Sequence, residues 1–292
     1  LSEFEAAKQS YSEAIAAFNS ALLIAPNSIA ALNNKGIALQ SLGDLQARLS
    51  EFEAAKQSYS EAIAAFNSAL LIAPDSTAAL NNKGNALRSL GELQAQLSEF
   101  EAAKQSYSDA IVAFNSALLI APDYNYALNN KGTALQSLGA LQAGLSEFEA
   151  AKQSYSDAIA AFNSALLIAP DYNYALNNKG MALGSLGALQ AGLSEFEAAK
   201  LSYSDAIAAF NSALLIAPDS LAALNNKGTA LRCLGNLQAK LSNQQEALKN
   251  WQEGLEMWNR CLAIAPNNHR LRNFRDSLQQ YVDNLGDDTA SS

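Results

Sequence analysis

The sequence predicts an all-α fold, a solenoid of stacked antiparallel helical hairpins, and three observations carry that prediction. The string LSEFEAAKQSYS begins at Leu1, Leu49, Leu97 and Leu145, recurs with one change at Leu193 and survives in diverged form from Leu241, so the period is 48 residues. All six prolines (Pro26, Pro74, Pro122, Pro170, Pro218 and Pro266) hold one place in that period. Proline cannot continue a helical hydrogen-bond ladder, so each unit turns there. Apolar residues recur at helical spacing within every unit, and no segment carries a strand pattern. The first two units differ at only six positions, which reads as recent internal duplication.

The second unit shows how each element is expected to form. Ser50 and Glu53 make the S-x-x-E pattern of a capping box, followed by Phe52, Tyr59, Ile63, Phe66 and Leu70 at helical spacing, so a helix is predicted to about Ala73. After Pro74, Asp75 or Ser76 is placed to cap a second helix, with Leu80, Leu87, Leu90 and Leu93 on one stripe and its end near Gln96. The matching ends in the next two units are Gly144 and Gly192. Glycine enters the left-handed region without steric penalty, so the hairpin turn is expected there. Ala62 and Ala69 predict close helix approach, with Tyr59 and Phe66 filling the spaces between hairpins, and Gly36 is expected to act in the same way. Gly43 falls inside a helix, where glycine is about 1 kcal/mol less favourable than alanine. A kink or a closely packed neighbour is predicted there.

The two ends depart from the pattern. The last unit carries Trp251, Gly254, Trp258 and Cys261 where others have Tyr, Ala, Phe and Ala. Residues 267–286 hold Leu271, Phe274, Leu278, Tyr281 and Leu285 among polar residues, which predicts a C-terminal capping helix with a polar outer face; 287–292 are expected to be a disordered tail. Tandem repeats therefore occupy 1–266. The array starts in the second helix of a unit, Ser2 to about Ala25. That predicts either further chain upstream or a face that binds something.

Composition narrows the function classes. A net charge of -9 and a pI near 4.7 oppose non-specific attraction to phosphate, so neither nucleic acid nor an anionic membrane is an expected partner. No apolar run is long enough to span a bilayer and no leader is evident, and a cytoplasmic location is the expectation. Cys233 and Cys261 follow no disulfide or metal spacing. Cys233, which replaces a serine, reads as a buried or idle thiol. His269 is the only histidine and has no nucleophile or metal ligand at a fitting distance along the chain. The acidic residues repeat on solvated faces instead of forming a unique acid–base pair. No enzymatic activity and no cofactor are expected.

ALNNKGIALQSLGDL (Ala31 to Leu45) joined to YSEAIAAFNSALLIAP (Tyr59 to Pro74) resembles the tetratricopeptide repeat, with Gly36, Leu42, Gly43, Tyr59, Ala62, Phe66, Ala69 and Pro74 matching its signature in order. That family's repeat is usually about 34 residues. The additional residues, about 14, lie between Gly43 and Tyr59 and amount to nearly four helical turns, which would lengthen each helix by about two turns, or roughly 10 Å. The resemblance implies a right-handed superhelix whose first helices line a concave groove for extended peptides.

Within so uniform an array, the positions that vary are informative. Ala30, Ala78, Tyr126, Tyr174 and Ala222 form one set; Ile37, Asn85, Thr133, Met181 and Thr229 a second; Gln40, Arg88, Gln136, Gly184 and Arg232 a third; Asp44, Glu92, Ala140, Ala188 and Asn236 a fourth. Steps of seven, three and four place them on one helical face, the face that the resemblance assigns to the groove. Drift of any exposed face would give the same pattern. Beside it runs an invariant pair in each unit, from Asn33-Asn34 to Asn225-Asn226. Asparagine carries a donor and an acceptor, so the second members, Asn34, Asn82, Asn130, Asn178 and Asn226, are candidates to bond a peptide backbone, as in the asparagine ladders of similar superhelices; alternatively one of each pair bonds the adjacent hairpin. The lysines that follow, Lys35, Lys83, Lys131, Lys179 and Lys227, suit an acidic partner or simple solvation. With Tyr126, Tyr174, Asn85, Thr133, Met181, Arg88 and Arg232, the second asparagines make up the candidate peptide site. The leading expectation is a non-catalytic scaffold binding an extended segment of a partner protein. The alternatives are a structural protein that assembles end to end through its first helix into a filament or closed oligomer, and the interaction arm of an enzyme whose catalytic domain lies upstream.

Overall fold

In a computed structural model that describes residues 2–290, every regular element is an α-helix, and no strand occurs among the described residues. Two compact units are distinguished, Leu1–Leu145 and Ser146–Ser292. The first contains α1 (Ser2–Ile24), α2 (Ile29–Arg48), α3 (Phe52–Ile72), α4 (Thr77–Gln96), α5 (Phe100–Ile120) and α6 (Asn125–Gly144). Helices α2 and α3 form one hairpin and α4 and α5 the next, with α1 against α2 and α6 against α5. The second contains α7 (Phe148–Ile168), α8 (Asn173–Gly192), α9 (Phe196–Ile216), α10 (Leu221–Lys240), α11 (Gln244–Ile264) and α12 (His269–Ala290). Here α8 pairs with α9 and α10 with α11, flanked by α7 and α12.

Helices of 20 and 21 residues alternate through the repeats, each close to 30 Å at 1.5 Å per residue. The residues beyond the usual repeat length are thus shared between the two helices, and the hairpin is taller without a change of phase. Small residues set its width. A Cβ built on Gly36 would stand 2.5 Å from the Phe66 ring, and one on Gly43 would stand 2.7 Å from the Tyr59 ring. Gly43 therefore marks a packed neighbour. Ala62, Phe66 and Ala69 are fully buried, and their copies on α5 and α9 repeat that packing.

Two helix-end expectations are corrected. Ser50 is not an N-cap: α3 starts at Phe52, the residue before it is Glu51, and no side chain caps it. Ser50 instead adopts φ 62°, as do Ser98, Ser146, Ser194 and Ser242 at φ 62–63°, while no glycine among the described residues has positive φ. The left-handed residue of the turn is therefore serine, two places beyond Gly144 or Gly192. The amide of Ser50 donates to the Ala47 carbonyl at 3.0 Å and that of Glu51 to Gln46 at 2.9 Å, the pair of bonds that closes a Schellman motif. On the proline side the expectation holds. Ser76 and Ser220 accept a bond from the amide three residues on, at 3.3 Å in each case, whereas Tyr124 and Tyr172 occupy that position without a side-chain cap.

The last helix packs on α11. Leu271 and Leu278 are buried in a cluster with Trp251, Leu255 and Trp258, and Phe274 and Tyr281 lie against the two tryptophans, with ring centroids 5.7 Å apart in both pairs. Helix α12 runs to Ala290, into the stretch expected to be a disordered tail; residues 291–292 lie outside the described residues.

Candidate functional site

Within each unit the even-numbered helices touch one another, α2 with α4 and α4 with α6, and α8 with α10. Packing hairpins more closely through one layer bends each stack toward that layer, so the even helices line the inner side. Their inner face carries the variable positions. Tyr126 and Tyr174 are 56% and 69% exposed, and each ring meets a second tyrosine edge-on, Tyr124 and Tyr172, at 6.1 Å. Met181 is exposed and receives the Asn177 amide at 3.5 Å from its sulfur, while Asn85, Thr133, Arg88 and Arg232 are half-buried. The fourth variable position is partly tied into its own hairpin. Asp44 accepts the Tyr59 hydroxyl at 2.8 Å and Asn236 accepts the Trp251 indole N–H at 3.0 Å.

The asparagine pairs connect consecutive hairpins. Asn82 Nδ2 donates to Asn33 Oδ1 at 3.1 Å, Asn130 to Asn81 at 3.0 Å and Asn226 to Asn177 at 3.1 Å. This is the second of the two arrangements expected from sequence, in which one asparagine of a pair bonds the adjacent hairpin. Each carboxamide nitrogen has two N–H groups, so these bonds leave one donor on Asn82 and Asn226. The chain of bonds stops at Asn225, whose buried Oδ1 has no partner, because the residue one period beyond Asn226 is Phe274.

The lysine expectation changes at one position. Lys227 is buried and its Nζ lies 2.7 Å from Glu253, so it is paired and not solvated. Lysines on the odd helices also bridge repeats, with Lys8 to Glu51 at 2.8 Å and Lys56 to Glu99 at 2.6 Å.

Between α8 and α10, over Tyr203 and Phe210 of α9, lies a pocket of about 270 Å³ whose rim includes Met181, Gly184, Ala188, Thr229 and Cys233. Gly184 stands where Gln40, Arg88, Gln136 and Arg232 carry long side chains. A Cβ at Gly184 would meet nothing within 4 Å. Cys233 shares a hydrogen bond with the Tyr203 hydroxyl, and burial pushes both groups above their ordinary pKa.

Residues 41–111 match the tetratricopeptide repeat family model. That segment spans more than a full period of an array whose units up to Lys240 are closely similar in sequence. Over that segment the chain is similar to tetratricopeptide repeats. Among solved structures, BtubC (BKLC) from P. vanneervenii is similar at 16% identity, with 91% of this chain and 93% of that one covered and a TM-score of 0.65, and this likeness bears on the fold. A thermophilic TPR protein from Thermus thermophilus aligns at 17% identity over 84% of this chain and 99% of that one, with a TM-score of 0.46. YrrB, a TPR protein with an unusual peptide-binding site, aligns at 18% identity over 89% and 98%, with a TM-score of 0.40. No curated protein matches the sequence.

The described residues include no cluster of His, Cys, Asp or Glu arranged to hold a metal ion, and no helix long and apolar enough to cross a membrane. His269 opens α12 at the surface. The sequence presented Gly184 and Cys233 separately, as a variable position and an idle thiol; what it did not reveal is that they share one pocket. The signal it did carry was a glycine in a helix interior where every other copy has a long polar side chain.

Proposed function

We propose that the chain is a non-catalytic protein-interaction scaffold that holds an extended segment of a partner protein along the inner faces of its even-numbered helices. One observation carries this reading: variation among otherwise near-identical units is concentrated on that solvent-open face, where it places Tyr126, Tyr174 and Met181 in the open. Exposed aromatic and methionine side chains are enriched where partners bind, because they offer large contact areas at small conformational cost. The remaining carboxamide donors of Asn82 and Asn226, with Asn34, Asn130 and Asn178 at the matching places, supply bonds that a peptide backbone accepts whatever its sequence. Selection of displayed random peptides on the immobilised chain tests this. Selected peptides are expected to lose at least tenfold in affinity when Tyr126, Tyr174 and Met181 are changed together to alanine. Unchanged affinity in a variant of unchanged helicity contradicts the groove.

A second reading rests on α1. Ala17 and Ala21 are exposed, although their equivalents Ala65 and Ala69 are buried. In this reading a second copy covers that face and the chain self-assembles. Light scattering separates the two, since a mass that stays monomeric over a wide concentration range removes self-assembly.

A further inference from the structure

The cavity beside Gly184 gives the proposed groove a sequence preference. Resting on the groove reading above, we infer that this pocket receives one large apolar side chain of the bound segment, of phenylalanine, leucine or methionine type, next to a carboxylate held by Arg232. Size supports the first part: an apolar cavity of about 150 Å³ already accommodates a benzene ring, and this one is about 270 Å³. Lining supports it too, since Tyr203, Phe210, Met181, Ala188 and Ala230 surround the opening. Gly184 keeps it open, because glutamine or arginine occupies that place in each of the other repeats.

Charge supports the second part. In the first unit Arg88 is ion-paired with Glu92, one turn further along α4. Arg232 has Asn236 at that place, and Asn236 is engaged by Trp251. On α8 the position that is Asp44 or Glu92 in the earlier repeats is Ala188, so no acid stands there. Among the described residues Arg232 has no ion pair, and its positive charge acts on Tyr203 and Cys233 at the pocket. An anionic group entering beside the apolar side chain would complete it. In a chain of net charge -9 this is a local exception, so it contributes selectivity within the groove more than general attraction.

Parallel selections of displayed random dodecapeptides on the full chain and on its Gly184→Gln and Arg232→Gln variants test the assignment. Glutamine already stands at the equivalent positions 40 and 136, and its Cβ meets no neighbour at 184, so the first variant folds. The expected result is enrichment of a large apolar residue adjacent to Asp or Glu on the parent chain, loss of the apolar preference in Gly184→Gln, and loss of the acidic preference in Arg232→Gln. A selected peptide should also slow alkylation of Cys233 by iodoacetamide at least fivefold, with buried Cys261 as the internal control. Peptides that bind with the same preferences on all three chains overturn this inference and leave the groove standing, whereas no selectable peptide at all overturns both. Protection of Cys233 by raised chain concentration alone identifies a second copy as the occupant. Protection by benzyl alcohol but not by selected peptides identifies a small-molecule cavity. Either result overturns the assignment.

Discussion

Helices α4 and α8 share a backbone plan and differ in what they present. Both keep a glycine under the aromatic ring of the next helix, Gly84 under Phe114 and Gly180 under Phe210, where a Cβ would stand 2.6 Å from the ring in each case. Both bury a fully enclosed alanine two residues later, Ala86 and Ala182. On the inner face, α4 carries Ala78, Asn85, Arg88 and Glu92, and α8 carries Tyr174, Met181, Gly184 and Ala188. The first is polar and internally ion-paired. The second is apolar, exposed and hollow. Packing positions and surface positions fall on different sides of the same helix, so duplication could preserve the one set while the other changed.

If that separation holds, core substitutions should act alike in both regions. Phe114→Ala and Phe210→Ala remove rings that are almost wholly buried, and each is expected to cost about 3–5 kcal/mol. Hydrogen exchange of the affected hairpin is the suitable measurement, because long repeat arrays need not unfold in one step. A large difference between the two would mean that the surfaces are coupled to the cores. The asparagine bonds come next. Asn82→Ala and Asn226→Ala each delete a bond between hairpins and leave the partner carboxamide without a donor, for an expected loss of about 1–3 kcal/mol by the same method.

Two smaller substitutions sharpen the comparison by raising stability. Ser98→Gly relieves a left-handed residue at φ 62° and is expected to stabilise by about 1 kcal/mol, read as an upward shift in thermal midpoint; Ser194→Gly should match it. Gly184→Gln is expected to gain about 0.5–1 kcal/mol from helix propensity, and Gln136→Gly to lose a similar amount. The smallest effect belongs to the surface links. The hydrogen bond to Glu99 raises the Lys56 pKa above its ordinary value, so the link is complete below the unfolded lysine pKa and is lost as pH rises through the folded one. Denaturant midpoints should therefore differ little between the parent chain and Lys56→Met at neutral pH and high salt.

The hairpins were legible because their signals repeat at one period. Pro74 and its copies mark one turn, and Gly36 and Gly43 mark where Phe66 and Tyr59 press closest. The reversal at Ser50 was not legible, since serine gives no local sign of a left-handed backbone and the preceding glycines of two units offered a better-known cue. Nor was the choice between asparagine roles, because Asn82 and Asn33 are 49 residues apart and meet only through the spacing of stacked hairpins. For the same reason the pocket could not be assembled from sequence: Gly184 opens it, but Tyr203, Phe210 and Cys233 form it from the following two helices.

The chain contains two methionines, and they fall on opposite sides of this division, Met181 exposed on the inner face of α8 and Met257 buried in the core around Trp258. Methyl NMR of the chain labelled with ¹³C at both, titrated with a selected peptide, tests the groove directly. The Met181 signal should move or broaden in proportion to binding while the Met257 signal stays in place. A bound peptide that leaves Met181 unmoved, or moves both signals alike, would contradict recognition at the inner face.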